Sequence, residues 1–440
     1  MKLKKYLIII CFLLLLLLGA CSKTSSLSKL KNLREPISFS RITNQKSYQD
    51  EAYIVFKNKM KIFSSKLSES LLKQEYKENE NFAFSPLSIE LCLGLAVSGS
   101  NNETRDEILR AFDINYATFN EYYKVYITDT IMERKDRDDK IYSQITSSNS
   151  IWIDNDIKLK DSGLDSLQND YYCYSFEADF NKNNKVTNNA IREFVKEKTN
   201  GLIDQNLNIS EDTLFVLMNT LYLKDIWNDM GRDLTTASDE YKFRNIDGSI
   251  SKKNLLEGYY VSGKAMECDN FSAFKTYTLS GIALYFIKPN DGVNINTIFN
   301  KDIIDTVSTG SNYVLRDEEK LEVYKTKCIF PEFTASSDID LKETLMRDFN
   351  IKSLFDISKC DFTNLSNDKV YCNEIKHVAK LDVNKKGIEG AAITMLGLAG
   401  ASGPDQYTEV YETFVVDKEF VFVLTYGDKI LFSGIVTNID

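Results

Sequence analysis

The chain has 440 residues, 43% of them hydrophobic and 27% charged, with five prolines and a net charge of −10. That is enough apolar material to bury one large core or two domains. Acidic and basic residues are mixed, with no polybasic stripe, which sets nucleic acid aside as a partner, and the 12% of aromatic residues argues against long disorder.

Met1-Lys2-Leu3-Lys4-Lys5 is a short basic start, and the apolar run from Tyr6 to Leu18 is too short for a comfortable membrane span. Residues 1–20 therefore read as a secretion signal. The run ends in Leu18-Gly19-Ala20-Cys21, which resembles the bacterial lipobox, in which cleavage falls before the cysteine and the cysteine takes the lipid. The expectation is a lipoprotein of the bacterial cell envelope, bound to the membrane through acyl chains on Cys21 and facing the periplasm or the cell surface. Residues 21–47 are rich in Ser, Lys and Asn and read as a lipidated tether, and the folded domain is expected over 48–440.

Phe56, Met60, Phe63, Leu67 and Leu71 recur at steps of three and four and predict an amphipathic helix with one buried face. Helix and strand signals then alternate without a linker or an internal repeat. Ile282 to Ile287 is wholly apolar and closed by Pro289, as in a buried strand. Leu341, Leu345 and Phe349 predict a short helix after Pro331. Phe420 to Tyr426 and Ile430 to Val436 flank Gly427-Asp428 and predict a buried hairpin. Mixed elements in one uninterrupted domain imply an α+β architecture.

Beyond Cys21 the cysteines are Cys92, Cys173, Cys268, Cys328, Cys360 and Cys372, with no Cys-x-x-Cys, and His377 is the single histidine. No metal or cofactor site is expected from so sparse a ligand set. Spacing leaves disulfides open in an exported chain, and isolated buried thiols are the expected state.

Residues 387–409 break the pattern with a long stretch dominated by Gly, Ala and Ser; a loop of this length inside a domain is usually functional. From Gly387 to Gly403 it holds no proline, and Glu389 is its only charge. Read as a strand, Ile388, Gly390, Ala392, Thr394, Leu396 and Leu398 form one uncharged face fit for a core, and Glu389 falls on the other face, toward solvent.

Four stretches together resemble the serpin family. They are Asn81-Phe82-Ala83-Phe84-Ser85-Pro86-Leu87-Ser88, then Asn219 to Trp227, then His377 to Ala392, and then Phe414 to Phe420 with the closing hairpin. The resemblance implies roughly three β-sheets, about nine helices and an exposed reactive-centre loop. It also implies a monomeric serine protease inhibitor whose cleaved loop enters the central sheet, the established behaviour of inhibitory members. Matched to the family, Gly387, Ile388, Glu389, Gly390, Ala391 and Ala392 form the loop hinge. Ser85, Ser88, Asn219 and His377 fall at the shutter, where the sheet opens. Trp227 reads more simply as a core residue.

Counting from Gly387 with the family's hinge length sets the scissile bond at Ala401-Ser402, which suits an elastase- or subtilisin-like protease; counting back from Phe414 gives a site near Asp405. Lys385 and Lys386 stand where inhibitory members carry glutamates, Ile388 replaces a small residue, and Gly390 replaces an alanine. The bulk of Ile388 is expected to slow the first step of insertion. An enzyme is disfavoured, because the chain has no Gly-x-Ser-x-Gly and one histidine to serve as base. The alternative is a serpin-fold lipoprotein that binds or adheres without inhibiting.

Overall fold

The computed structural model describes residues 25–38, 50–228, 232–373, 375–389 and 407–439. Cys21, Gly390, Ala391, Ala392, Ala401 and Ser402 lie outside the described residues. Helix α1 (Glu51–Glu75) starts where the Asp50 carboxylate accepts the Ala52 N–H at 2.9 Å. It buries Phe56, Met60, Phe63, Leu67 and Leu71 on one face, as their spacing predicts. Helix α2 (Pro86–Gly99) is capped by Ser85 and has proline at its first turn. It is apolar on nearly every side, and all 14 of its residues are buried. Helix α3 (Tyr116–Thr128) crosses α2 at Gly94, where an added Cβ would lie 2.0 Å from the Tyr123 hydroxyl. Helix α4 (Asn184–Lys198) covers the outer face of the central sheet.

That sheet contains β1 (Lys31–Arg34), β2 (Ile141–Asp154), β3 (Cys173–Ala178), β4 (Phe215–Ile226), β5 (Phe333–Asp340), β6 (Lys376–Asn384) and β7 (Gly387–Ile388). Their spatial order is β1-β3-β2-β4-β7-β6-β5. One bridge, Ser336 to Phe82, joins β5 to a second sheet that holds the buried strand Ile282–Pro289 and the hairpin of Phe420–Tyr426 with Lys429–Val436. A third sheet of five strands carries Thr408–Val415, the chain's exit from the loop, parallel to Glu322–Phe330. With eight α-helices among the described residues, the architecture is the expected α+β one. The short helix after Pro331 is Lys342–Asp348, and β5 precedes it. All six cysteines beyond Cys21 are free thiols, and only Cys268 is exposed.

The N-terminal segment corrects one expectation. Residues 31–34 are not a featureless tether but an added edge strand, with Lys31 opposite Glu177 and Asn32 opposite Phe176. Leu27 and Leu30 pack against the cluster of Trp152, Phe176 and Phe194. The Leu27 N–H donates to Glu193 at 2.9 Å, and Arg34 reaches Asp161 and Asp165 at 3.1 and 3.2 Å. Four residues carry too little pattern to announce a strand; the partner edge and two leucines create it.

Candidate functional site

The central sheet is incomplete between β4 and β6. Among the described residues these strands share no ladder with one another and are joined only through β7. Gly387 and Ile388 pair with Ile226 and Asp225 on one side and with Asn384 and Val383 on the other. Gly387 has φ +154°, and a Cβ there would lie 2.1 Å from the Asp225 carbonyl oxygen, so only glycine lets the chain enter between the strands. Ile388 is fully buried and joins the main core. The Glu389 N–H still donates to the Asp382 carbonyl at 2.9 Å, continuing the register, but its φ of +42° departs from extended backbone.

Two expectations change here. The loop does not leave into solvent at Gly387, because Ile388 gains a core position worth roughly 1.5–3 kcal/mol by entering. Its side chain is accommodated in the core between β4 and β6. Glu389 does not face open solvent either. Burial pushes its carboxyl up to about 7, against the hydrogen bond from Tyr222 and the charge of Lys224. Trp227 is core, as expected, and its Nε1–H also donates to the Asn384 carbonyl at 2.8 Å, tying the end of β4 to the end of β6.

Below β7 the gap is faced first by the buried Leu223, Leu381, Leu221 and Ala379, and then by polar residues. His377, 5% exposed, accepts the Ser85 N–H on Nε2 at 3.0 Å. Burial lowers its pKa to about 4, so it is neutral. The Ser85 hydroxyl donates to the Leu431 carbonyl at 2.7 Å and accepts the Ser88 N–H at 3.1 Å. Across the gap the Asn219 amide donates to the Ser147 hydroxyl at 2.7 Å and to Asn149 Oδ1 at 2.8 Å. The Ser88 hydroxyl donates to the Asn219 backbone carbonyl at 3.1 Å, which links the two walls. Asn219 Oδ1 is buried without a partner among the described residues. The four predicted shutter residues thus come together around one cleft, in one chain of hydrogen bonds that runs His377–Ser85–Ser88–Asn219. Ser147 and Asn149 were missed, although the polar run Ser147-Ser148-Asn149-Ser150 inside a buried strand is their signal. Asp225 was missed too; burial pushes its carboxyl up to about 6 while it accepts the Ser280 N–H at 3.1 Å.

Val195, Ile203 and Leu207 roof the cleft with Met218, and its interior of about 30 Å³ has room for a water or two. From this roof the Gln205 amide donates to Asp338 on β5 at 3.2 Å, strapping across the gap.

Among the described residues, then, β4 and β6 are joined only through Gly387 and Ile388, with the polar network of Ser85, Ser88, Asn219 and His377 below them. The serpin (serine protease inhibitor) family profile matches residues 58–439, and the chain belongs to the serpin family. That family is generally one of protease inhibitors rather than catalysts. Similar sequences include an uncharacterised serpin-like protein of Methanosarcina acetivorans, 22% identical over 386 residues, covering 84% of this chain and 85% of that one. Serpin-Z4 of Arabidopsis thaliana is 26% identical over 382 residues, covering 81% and 92%. The thermophilic serpin tengpin in its native state has the same fold, with TM-score 0.70 at 22% identity over 93% of this chain and 100% of that one.

Proposed function

We propose that this serpin is a suicide substrate for a serine protease of elastase- or subtilisin-like specificity. The protease serine attacks the Ala401 carbonyl, the Ser402 amine leaves, and the resulting acyl-enzyme is carried away as the freed loop enters the gap. The observation that supports this reading is that, among the described residues, β4 and β6 share no ladder and are joined only through Gly387 and Ile388. Continuing the β7 register sets Gly390 between Leu223 and Leu381, Ala392 between Leu221 and Ala379, and Thr394 between Asn219 and His377. Small residues then meet leucines, and the Thr394 hydroxyl meets the unpartnered Asn219 Oδ1. Each inserted position therefore has a matching neighbour.

The test is to mix the full chain with an elastase-like protease and seek an SDS-resistant conjugate; cleavage without any conjugate would sink the inhibitory reading. Lys385 and Lys386, where inhibitory members carry glutamates, favour the second reading of a serpin-fold binding or adhesion lipoprotein. We further propose that Cys21 carries the lipid that holds the monomer at the cell envelope. Cys21→Ala should leave an uncleaved precursor that takes up no palmitate analogue, and equal label in the variant would refute it.

A further inference from the structure

Lys275 lies on the strand Phe271–Tyr277 and is 3% exposed. Its ammonium lies 4.1 Å from the centre of the Tyr313 ring, 5.6 Å from Tyr277 and 5.7 Å from Tyr285. One of its three N–H groups has a partner, the Gly310 carbonyl at 3.2 Å. No carboxylate pairs with it among the described residues, and burial alone pushes its pKa down to about 8. Three tyrosine faces offset part of the cost of a buried cation, but they do not supply a counter-charge.

The lysine also borders a surface pocket of about 460 Å³ shared with Asn228, Tyr259, Tyr260, Tyr277 and Leu315. Leu315 and Tyr260 are 53% and 45% exposed, so the rim is apolar and aromatic while the buried wall is cationic. A pocket of this size, with aromatic walls and one convergent charge, has the build of a small-molecule site. It lies on the seam between the second and third sheets, beside the end of β4, where the Asn228 N–H donates to the Tyr277 carbonyl. We infer that this pocket binds a small aromatic monoanion, with the carboxylate on the Lys275 ammonium and the ring against Tyr260, Tyr277 and Leu315.

The probe is 1-naphthoate, titrated into the full chain by calorimetry, with neutral 1-naphthalenemethanol as the control. Saturable binding of naphthoate, weakened about tenfold or more in Lys275→Met, is the expected result, because a desolvated charged hydrogen bond is lost. The neutral alcohol should bind both proteins alike. Removing an uncompensated buried cation should leave the fold intact. Gly310→Asp is a second variant, since Gly310 also lines the pocket and a Cβ there lies 3.5 Å from the Lys275 Nζ, so its carboxylate would pair with the ammonium in place of the ligand's. It should weaken naphthoate by a similar factor with an unchanged thermal midpoint. Absence of saturable binding to the wild type at millimolar naphthoate overturns the proposal, and so does wild-type affinity in either folded variant.

Discussion

Two stretches of sheet in this molecule are built to opposite ends. In the C-terminal hairpin, Phe420 to Leu424 and Ile430 to Val436 are buried on both faces, and the ladder runs from Phe420–Val436 to Tyr426–Lys429. Its outer edge continues through six pairs onto Ile282–Pro289. Between β4 and β6 the ladder among the described residues ends with β7, and beyond Leu221, Leu223, Ala379 and Leu381 the facing residues are Asn219 and His377 with their serine partners. An apolar interface without a gap can be opened only by exposing its whole surface. At Asn219 and His377 one hydrogen bond can be exchanged for another as a strand enters, whereas Leu221, Leu223, Ala379 and Leu381 beside them belong to the main core. Among the described residues one ladder is continuous and the other is interrupted.

Filling the gap should erase the contrast. Cutting the full chain between about Met395 and Thr408 should let the loop insert, and the thermal midpoint should rise by on the order of 10 °C or more. Calorimetry before and after cleavage measures it, and equal midpoints would mean that the gap does not take the loop. Next in size is a block at the middle of the gap. Thr394→Arg would drive a charge between Asn219 and His377 in the continued register, at a cost of several kcal/mol. The variant should still be cut at the same bond while trapping is lost, read as conjugate against cleaved band in a stoichiometry titration. Ile388→Arg should do the same and also expel the seated hinge; normal trapping by both variants would exclude insertion from this hinge.

The closed side offers a prediction of its own. Glu90 on α2 is fully buried next to the hairpin, accepting from the Ser64 hydroxyl at 2.5 Å and from Tyr126 at 2.7 Å. Burial raises its pKa from 4.5 to about 8, against those hydrogen bonds and the charge of Lys429. A carboxyl whose folded pKa lies above its unfolded value favours the folded state only while protonated. Its contribution therefore falls as pH rises from about 4.5 to about 8, by up to roughly 1.4 kcal/mol per unit. Glu90→Gln should leave the midpoint near pH 5 almost unchanged and raise it at pH 8, by several degrees; a shift independent of pH would refute this. The smallest effect is expected at the mouth of the gap. Gly387→Ala meets the Asp225 carbonyl at 2.1 Å and should cost about 1–3 kcal/mol, releasing the hinge. Faster proteolysis at Glu389 would report that release, and an unchanged rate would show that the entry tolerates a side chain.

The closed side was the legible one. Continuous apolar runs such as Ile282 to Ile287, and the 3–4 spacing of α1, state their burial in the residues themselves. The shutter was legible only through the family motifs, since Ser85, Asn219 and His377 are far apart in sequence and nothing local joins them. That Ile388 is seated could not be read from its own segment. Whether a lone isoleucine in a Gly- and Ala-rich stretch is loop or strand is decided by Asp225 and Val383, which the fold brings from elsewhere. The edge strand β1 escaped for the same reason, and Asn149 did so because a polar residue in a strand looks like a surface position until the partner strand is known.

If Cys21 carries the proposed lipid, that edge strand also sets how closely the protein is moored. With lipid on Cys21, only Ser22, Lys23 and Thr24 separate the anchor from Ser25, which already caps the turn that leads into β1. Four peptide steps reach at most about 14 Å, whereas a free run to Asp50 would reach several times as far. The body would then ride close over the bilayer and not sweep the space above it. Its encounters would be governed by lateral drift in the membrane plane, so a protease moving along that surface would be met far more often than one passing overhead.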